Sequence, residues 1–163
     1  MPFGQMTLQT IILLGLLTWG QANGQLILTE KENLDWIEKL RSEKDLERRL
    51  TILRTRILAD TNVYVRPIGD REVLKTEKNK NKEIGLCRPL LIVEGNYINI
   101  TNDTDPTTIE NLVKELTTDN IKQFEVVDGE KAKSLYGQNG WCGVALLTTT
   151  NKKAKKTLLR YKI

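Results

Sequence analysis

The sequence contains no histidine. This absence excludes nucleophiles that a histidine activates, zinc sites with histidine ligands, and metalloproteases of the HExxH type. Carboxylates, lysines, tyrosines and thiols are present, but the side chain most often used as a general base is missing. We therefore expect a binding or structural protein and not an enzyme, with no catalytic residue, cofactor or metal ligand.

Aromatic residues are scarce, at 6% of the 163 positions, so the core has to be built mainly from Ile, Leu and Val. Hydrophobic residues make up 39% of the chain and charged residues 28%. This balance is typical of a folded chain and not of a disordered one. The length favours one domain with an additional element.

Charged residues are absent from the first 29 positions. Residues 7–19 (TLQTIILLGLLTW) form an apolar run that suits a signal peptide and is shorter than the ~20 residues a membrane span needs. The small residues Ala22 and Gly24 precede a candidate cleavage site between Gly24 and Gln25. We predict export, with residues 1–24 as the signal peptide. Because no Lys or Arg precedes the run, an uncleaved anchor and a buried helix are the alternatives.

The chain has only two cysteines, Cys87 and Cys142, which are 55 positions apart. Without a CxxC motif, this spacing does not favour a zinc or thioredoxin-like site. In an oxidising compartment the pair predicts one disulfide. Each cysteine opens an apolar run (CRPLLIVEG and CGVALLTTT), so both are expected at adjacent strands of one sheet. The alternatives are two buried free thiols, or a small secreted redox or hydrolytic enzyme that uses both cysteines.

The first half of the mature chain has a helical pattern. Thr29 and Glu32 are spaced as a capping box, and apolar residues then recur every three or four positions up to Ile57. Residues 25–68 are predicted as an amphipathic helical region, with a break near Ser42 and a short strand at 62–68. Residues 69–83 (GDREVLKTEKNKNKE) are interpreted as a charged linker.

Residues 84–150 alternate between strand and helix patterns. Strands are predicted at 89–94, 97–100, 121–127 and 143–149, with helices that start at Asp105-Pro106 and at 130–136. The order β-β-α-β-α-β predicts an α+β fold with a small mixed sheet. Five residues are interpreted as structural turns and caps: Gly95, Asp128, Gly129, Gly137 and Gly143.

The last thirteen residues, 151–163, carry six cations and no acid. Because the net charge of the whole chain is +4, the net charge of the remaining residues is −2. We expect a solvated, partly frayed basic tail. Binding to anionic lipid or nucleic acid is the alternative, and peripheral contact with a membrane is compatible with it. No aromatic residue is interleaved with the lysines, so specific nucleic-acid binding is not expected.

The segments PLLIVEG and IKQFEVVDGEKAKSLYGQNGWCGVALLTTTNKK resemble the second half of the plug domain of TonB-dependent outer-membrane receptors, particularly in Bacteroidota. The similarity covers residues 83–153. It includes Glu94-Gly95 after the first strand, the FEVV strand, a helix that ends in Leu-Tyr-Gly at Gly137, and the final GVALLTT strand. A charged helix stands in place of the first half of the plug, and Trp141-Cys142 replaces the usual small residue.

The resemblance implies a short, barrel-less exported protein in the periplasm or at the outer membrane. It implies action by protein–protein contact, with an outer-membrane or periplasmic protein such as a β-barrel as the partner.

Overall fold

The computed structural model describes residues 26–65, 77 and 80–162. The predicted signal peptide, its cleavage site at Gly24 and Gln25, and most of the charged linker lie outside the described residues. Within the described ranges, no helix has both the length and the apolar character required to cross a membrane.

Two helices, α1 (Glu30–Ser42) and α2 (Leu46–Ala59), begin the fold, and the predicted break after Ser42 is confirmed. The capping box is formed, since the backbone N–H of Glu32 donates to Thr29 Oγ1 at 3.3 Å and that of Thr29 donates to Glu32 Oε2 at 3.0 Å. Asp45 caps the second helix by accepting from the N–H of Arg48 at 2.8 Å. Capping side chains therefore set where each helix starts.

A parallel pair of short strands follows, β1 (Val63–Val65) and β2 (Glu83–Gly85). The first lies within the predicted strand at 62–68. The second was not predicted, because Glu83 was assigned to the charged linker. Its three residues pair with a strand about twenty positions earlier, and such a distant partner leaves no local periodicity to detect.

A four-stranded mixed sheet forms the centre of the protein, which confirms the α+β class. Its strands stand in the order β4-β3-β6-β5, with β3 parallel to β6 and the other neighbours antiparallel. Helix α3 connects β4 to β5, and helix α4 connects β5 to β6. The elements are β3 (Leu90–Val93), β4 (Asn96–Ile98), α3 (Pro106–Glu115), β5 (Ile121–Val127), α4 (Gly129–Tyr136) and β6 (Val144–Thr149).

The helices and the sheet share one hydrophobic core. Apolar side chains from α1, α2 and α3, among them Leu40, Leu53 and Leu112, pack with Val93 and Leu147 of the sheet. A smaller cluster lies under α4 on the opposite face of the sheet, and it consists of Ile92, Val127, Ala132 and Val144. The N-terminal helical region is therefore packed on the sheet and does not build a separate core.

The C-terminal residues differ from the expected frayed tail. They form helix α5 (Lys152–Leu158), which Asn151 caps by accepting from the N–H of Ala154 at 3.0 Å. Ala154 and Leu158 are four positions apart, so they lie on the same side of the helix, and both are buried. The prediction of a frayed terminus was wrong here because these two apolar side chains anchor the helix to the core, although its lysines are exposed.

The glycines interpreted as turns have positive φ angles: 75° at Gly95, 57° at Gly129, 61° at Gly137 and 90° at Gly143. Gly137, which ends α4, combines its φ with a ψ of −149°, a region that only glycine adopts without strain. Asp128 occupies the N-cap position of α4, but its side chain makes no capping hydrogen bond and forms an ion pair with Arg41 instead.

Candidate binding groove

The two cysteines meet at one end of the central sheet. Strands β3 and β6 run in parallel, and the N–H of Leu90 donates to the carbonyl of Gly143 at 2.9 Å. Because Cys87 and Cys142 each precede one of these strands, their Cα atoms lie 5.9 Å apart and their sulfurs form a disulfide. The predicted pairing is confirmed, and the alternative of two free thiols is wrong.

A buried ion pair lies behind the disulfide. Arg56 and Asp60 are 2% and 3% exposed, and Arg56 Nε lies 2.8 Å from both carboxylate oxygens of Asp60. Burial raises the pKa of Asp60, and the adjacent Arg56 guanidinium acts in the opposite direction. Charged residues are rarely this buried unless they are paired, so the pair is part of the core.

This ion pair is connected to both cysteines through backbone carbonyls. Arg56 Nη2 donates to the carbonyl of Cys87 at 3.1 Å, and Asn33 Nδ2 donates to that of Cys142 at 3.3 Å. Arg56 Nη1 also donates to Asn33 Oδ1 at 3.3 Å. Helices α1 and α2 therefore hold the backbone on both sides of the disulfide.

Arg88 extends the network towards β1. Its Nη2 donates to the carbonyls of Asp60, at 3.0 Å, and of Val63, and its Nη1 donates to Asn102 Oδ1 at 3.1 Å. Asn102 in turn bonds both backbone groups of Val65. Burial lowers the pKa of Arg88, but a guanidinium stays protonated at physiological pH. This side chain thus connects three chain segments at one point.

A groove of about 1,190 Å³ opens beside the disulfide. One wall comes from β2 and the residues up to Leu90, the second from the end of β4 to Asn102, and the third from residues 138–142. Four large apolar side chains on these walls are exposed to solvent: Ile84 (42%), Leu86 (38%), Tyr97 (46%) and Trp141 (42%). The Tyr97 ring also contacts Tyr136 of α4 edge to face.

The polar groups of the groove are mainly uncharged. The carboxamides of Asn99, Gln138 and Asn139 are exposed, and within the described part of the chain they have no hydrogen-bond partner. Arg88 is the only charged side chain among the described lining residues, and its Nη atoms already donate to other protein groups. The groove is therefore suited to a ligand with apolar surface and uncharged polar groups.

Two carboxylates that each follow a strand, those of Glu94 and Asp128, lie at opposite ends of the sheet. Glu94 follows β3 and accepts from the N–H and the hydroxyl of Thr149, at 2.7 and 2.8 Å. These two hydrogen bonds hold the pKa of Glu94 below its ordinary value. Asp128 follows β5, at the end of the sheet where β6 begins. Among the described residues, no group of three or more Cys, Asp and Glu could hold a metal ion.

The sequence predicted the disulfide and the turns beside the groove but not the groove itself. Gly137 and Gly143 flank the wall formed by residues 138–142, and Gly95 and Gly129 lie away from the groove lining. Ile84 and Leu86 were not predicted as groove residues because they directly follow the charged segment. For the wall formed by residues 138–142, the one local signal in the sequence was an aromatic residue next to a cysteine, Trp141-Cys142.

No protein-family model, curated protein or solved structure matches this chain. The resemblance to plug domains therefore stays a prediction from the sequence.

Proposed function

We propose that this protein is an exported, non-enzymatic protein that acts by protein–protein contact in the periplasm or at the outer membrane. The groove beside the disulfide is its contact surface. One observation carries the proposal: four of the seven large apolar side chains that are exposed among the described residues line this single groove. A contiguous exposed apolar surface with a polar rim is typical of an interaction site.

The composition of the groove favours a protein partner over a small charged substrate. Trp141 and Tyr97 are of the residue types that dominate binding energy at protein interfaces. Charged groups are depleted at the centre of such interfaces, and carboxamides such as those of Gln138 and Asn139 are common at the rim.

The walls of the groove are held in place before any partner arrives. The disulfide joins the wall that contains Leu86 to the wall that contains Trp141. Asn102 connects the wall from the end of β4 to Val65 of β1, and Arg88 donates to Asn102. A preorganised surface loses less conformational entropy on binding, so more of the contact energy becomes affinity. Cys142 is 2% exposed and Cys87 is half-buried, so only Cys87 of the pair is accessible from the groove.

The proposed location is supported by sequence features and by the disulfide. Disulfides persist in oxidising compartments, and the apolar run at 7–19 has the length of a signal peptide. The resemblance to plug domains favours an outer-membrane partner such as a β-barrel. N-terminal sequencing of the protein from envelope fractions is expected to begin at Gln25. Recovery only from the cytoplasm, with the chain starting at Met1, would contradict export.

Site-specific photo-crosslinking tests the contact surface. We replace Trp141 with a photoreactive phenylalanine derivative in the full chain, produced in the cells that make this protein naturally. The matched control has the same derivative at Leu135, which is 58% exposed on α4 and lies outside the groove lining. The expected result is one discrete crosslinked envelope protein from position 141 and none from position 135.

A second substitution distinguishes groove binding from chance proximity. Leu86→Asp places a charge in the groove on an exposed side chain and is expected to remove the crosslink from position 141 while the protein stays folded. Equal crosslinking from both positions, a crosslink insensitive to Leu86→Asp, or no crosslink from position 141 would each overturn the assignment of the groove.

A further inference from the structure

Helix α5 presents an unusual concentration of positive charge on an ordered element. Four of its seven residues are lysines, and all four are exposed. We call them the lysine face, which consists of Lys152, Lys153, Lys155 and Lys156. At about 100° per residue they span roughly 160° of the helix, on the side opposite to the buried Ala154 and Leu158. The core therefore fixes the direction in which these cations point.

The lysine face is electrostatically unfavourable for the isolated protein. Lys152 is three and four positions from Lys155 and Lys156, and like charges at these spacings repel. Lys152 and Lys153 also lie in the first turn, where the helix dipole disfavours cations. Within the described residues, none of the four forms an ion pair at 4.0 Å or less.

The sequence next to the helix offers little compensation. Residues 151–162 contain no acid, and Arg160 and Lys162 add two further cations. Glu94 lies close enough for Lys155 to influence its carboxylate, but that carboxylate already accepts two hydrogen bonds from Thr149. Local features that lower stability without an internal gain are expected where a protein meets a partner.

We propose that the lysine face of α5 binds the phosphate-bearing surface of an anionic lipid membrane. Lysine ammonium groups act as point charges that suit phosphates on a broad surface. Nucleic acid is disfavoured because Tyr161, the only aromatic residue in 151–162, is half-buried against the core, which leaves little ring surface on which bases could stack. The apolar side of α5 is buried too, so nothing on it inserts into the bilayer and the contact is electrostatic. This inference does not depend on the groove.

Vesicle co-sedimentation of the full chain tests the proposal. Vesicles of phosphatidylcholine with phosphatidylglycerol are compared with vesicles of phosphatidylcholine alone, which measure any contribution of the apolar N-terminal run. The test variant replaces the lysine face by K152Q, K153Q, K155Q and K156Q. The control variant makes the same change in net charge at exposed lysines elsewhere, by K39Q, K44Q, K131Q and K133Q.

The wild-type chain is expected to bind the anionic vesicles and to lose this binding at 1 M salt, where the Debye length is about 3 Å. Since each lysine near an anionic surface contributes about fivefold in affinity, the lysine-face variant should bind at least tenfold more weakly. The binding of the control variant to the anionic vesicles should weaken by only about twofold. The lysine-face variant should also unfold at a temperature equal to or above that of the wild type, because repulsion has been removed.

Four results would overturn the proposal. If the lysine-face variant and the control variant lose the same amount of binding to anionic vesicles, the effect is due to net charge. If the wild type binds neutral vesicles as tightly as anionic ones, the binding is due to the apolar run. An absence of binding to anionic vesicles would leave the face without a lipid ligand. Tighter binding to labelled single-stranded RNA or duplex DNA than to vesicles, lost in the lysine-face variant, would assign the face to nucleic acid.

Discussion

The guanidinium of Arg56 donates a hydrogen bond of 3.1 Å to the carbonyl oxygen of Cys87. The bond joins α2 to the disulfide, and Asn33 makes the equivalent bond from α1 to Cys142. The sheet, the helices and the groove walls therefore meet at one buried polar cluster.

Removal of the Arg56 side-chain charge should destabilise the protein strongly. Arg56→Met leaves Asp60 buried without its partner and the carbonyl of Cys87 without its donor, so we expect the free energy of unfolding to fall by about 3–5 kcal/mol. Urea denaturation followed by circular dichroism measures this. The control is Arg48→Met, whose side chain is 77% exposed and which should change stability by no more than about 0.5 kcal/mol. Similar losses in the two variants would mean that the buried pair contributes no more than a surface charge.

The disulfide should stabilise the fold substantially. It joins residues 55 positions apart, for which the chain-entropy relation gives about 4 kcal/mol. The double variant Cys87→Ser/Cys142→Ser, compared with the wild type by denaturant unfolding, should lose about this amount. A dithiol reductant should lower the stability of the wild type and leave that of the double variant unchanged. If the reductant has no effect on the wild type while free thiols are detected by mass spectrometry, the disulfide is not a stabilising element.

The carboxylate of Glu94 should make stability depend on pH in the acid range. Its pKa is lowered in the folded protein by the hydrogen bonds from Thr149, below the ordinary value of 4.5. A carboxylate with a lowered folded pKa contributes stability that is fully present above 4.5 and is lost as the pH falls through the folded pKa. Glu94→Gln should therefore be less stable than the wild type near neutral pH, and the difference should shrink below pH 4.5.

Free energies of unfolding measured between about pH 7 and pH 3 test this prediction. Thr149→Val removes the hydroxyl donor and keeps the backbone donor, so it should reduce the pH-dependent difference without abolishing it. A difference between the wild type and Glu94→Gln that stays constant over this range would contradict the role of the carboxylate.

The close approach of Gly140 to α4 should make this position intolerant of a side chain. A Cβ atom there would lie 2.8 Å from the carbonyl carbon of Ala132 and 3.1 Å from Cβ of Tyr136, so the backbone next to Trp141 would have to move. We expect Gly140→Ala to cost about 3 kcal/mol and to change the near-UV signal of the tryptophans.

Gly129→Ala is the control for Gly140. Gly129 has a φ of 57° but no atom within 4 Å of an added Cβ, so only its backbone conformation opposes the substitution, at about 1 kcal/mol. A cost for Gly140→Ala equal to or below that of Gly129→Ala would show that the loop adapts without strain.

The elements that could be predicted from the sequence are those specified by nearby residues. The capping box at Thr29, the Asp105-Pro106 helix start and the spacing of apolar residues along α1 and α2 are all local signals. The disulfide was predicted from the single pair of cysteines and the expected export, and the apolar strand after each cysteine placed the two near each other. In contrast, β2 was missed because it forms only by pairing with β1, which lies about twenty positions earlier in the chain. Helix α5 was misinterpreted because it is held by contacts of Ala154 and Leu158 with the core.

The groove and the buried cluster have no signature along the chain. Arg56 and Asp60 resemble an ordinary surface pair on a charged helix, and only their position in the fold makes them 2% and 3% exposed. The groove combines three walls with Leu28 and Val65 from two further segments, and none of these segments is distinctive alone.

The sequence by itself determined most of the helices and strands, where they start, and that two cysteines are available for one bond, because periodicity and capping act within a few residues. Only the tertiary structure decided which charges are buried, which apolar side chains stay exposed, and that the basic C-terminus is an ordered helix. Burial depends on which distant surfaces come into contact, and that is set when the helices pack on the sheet.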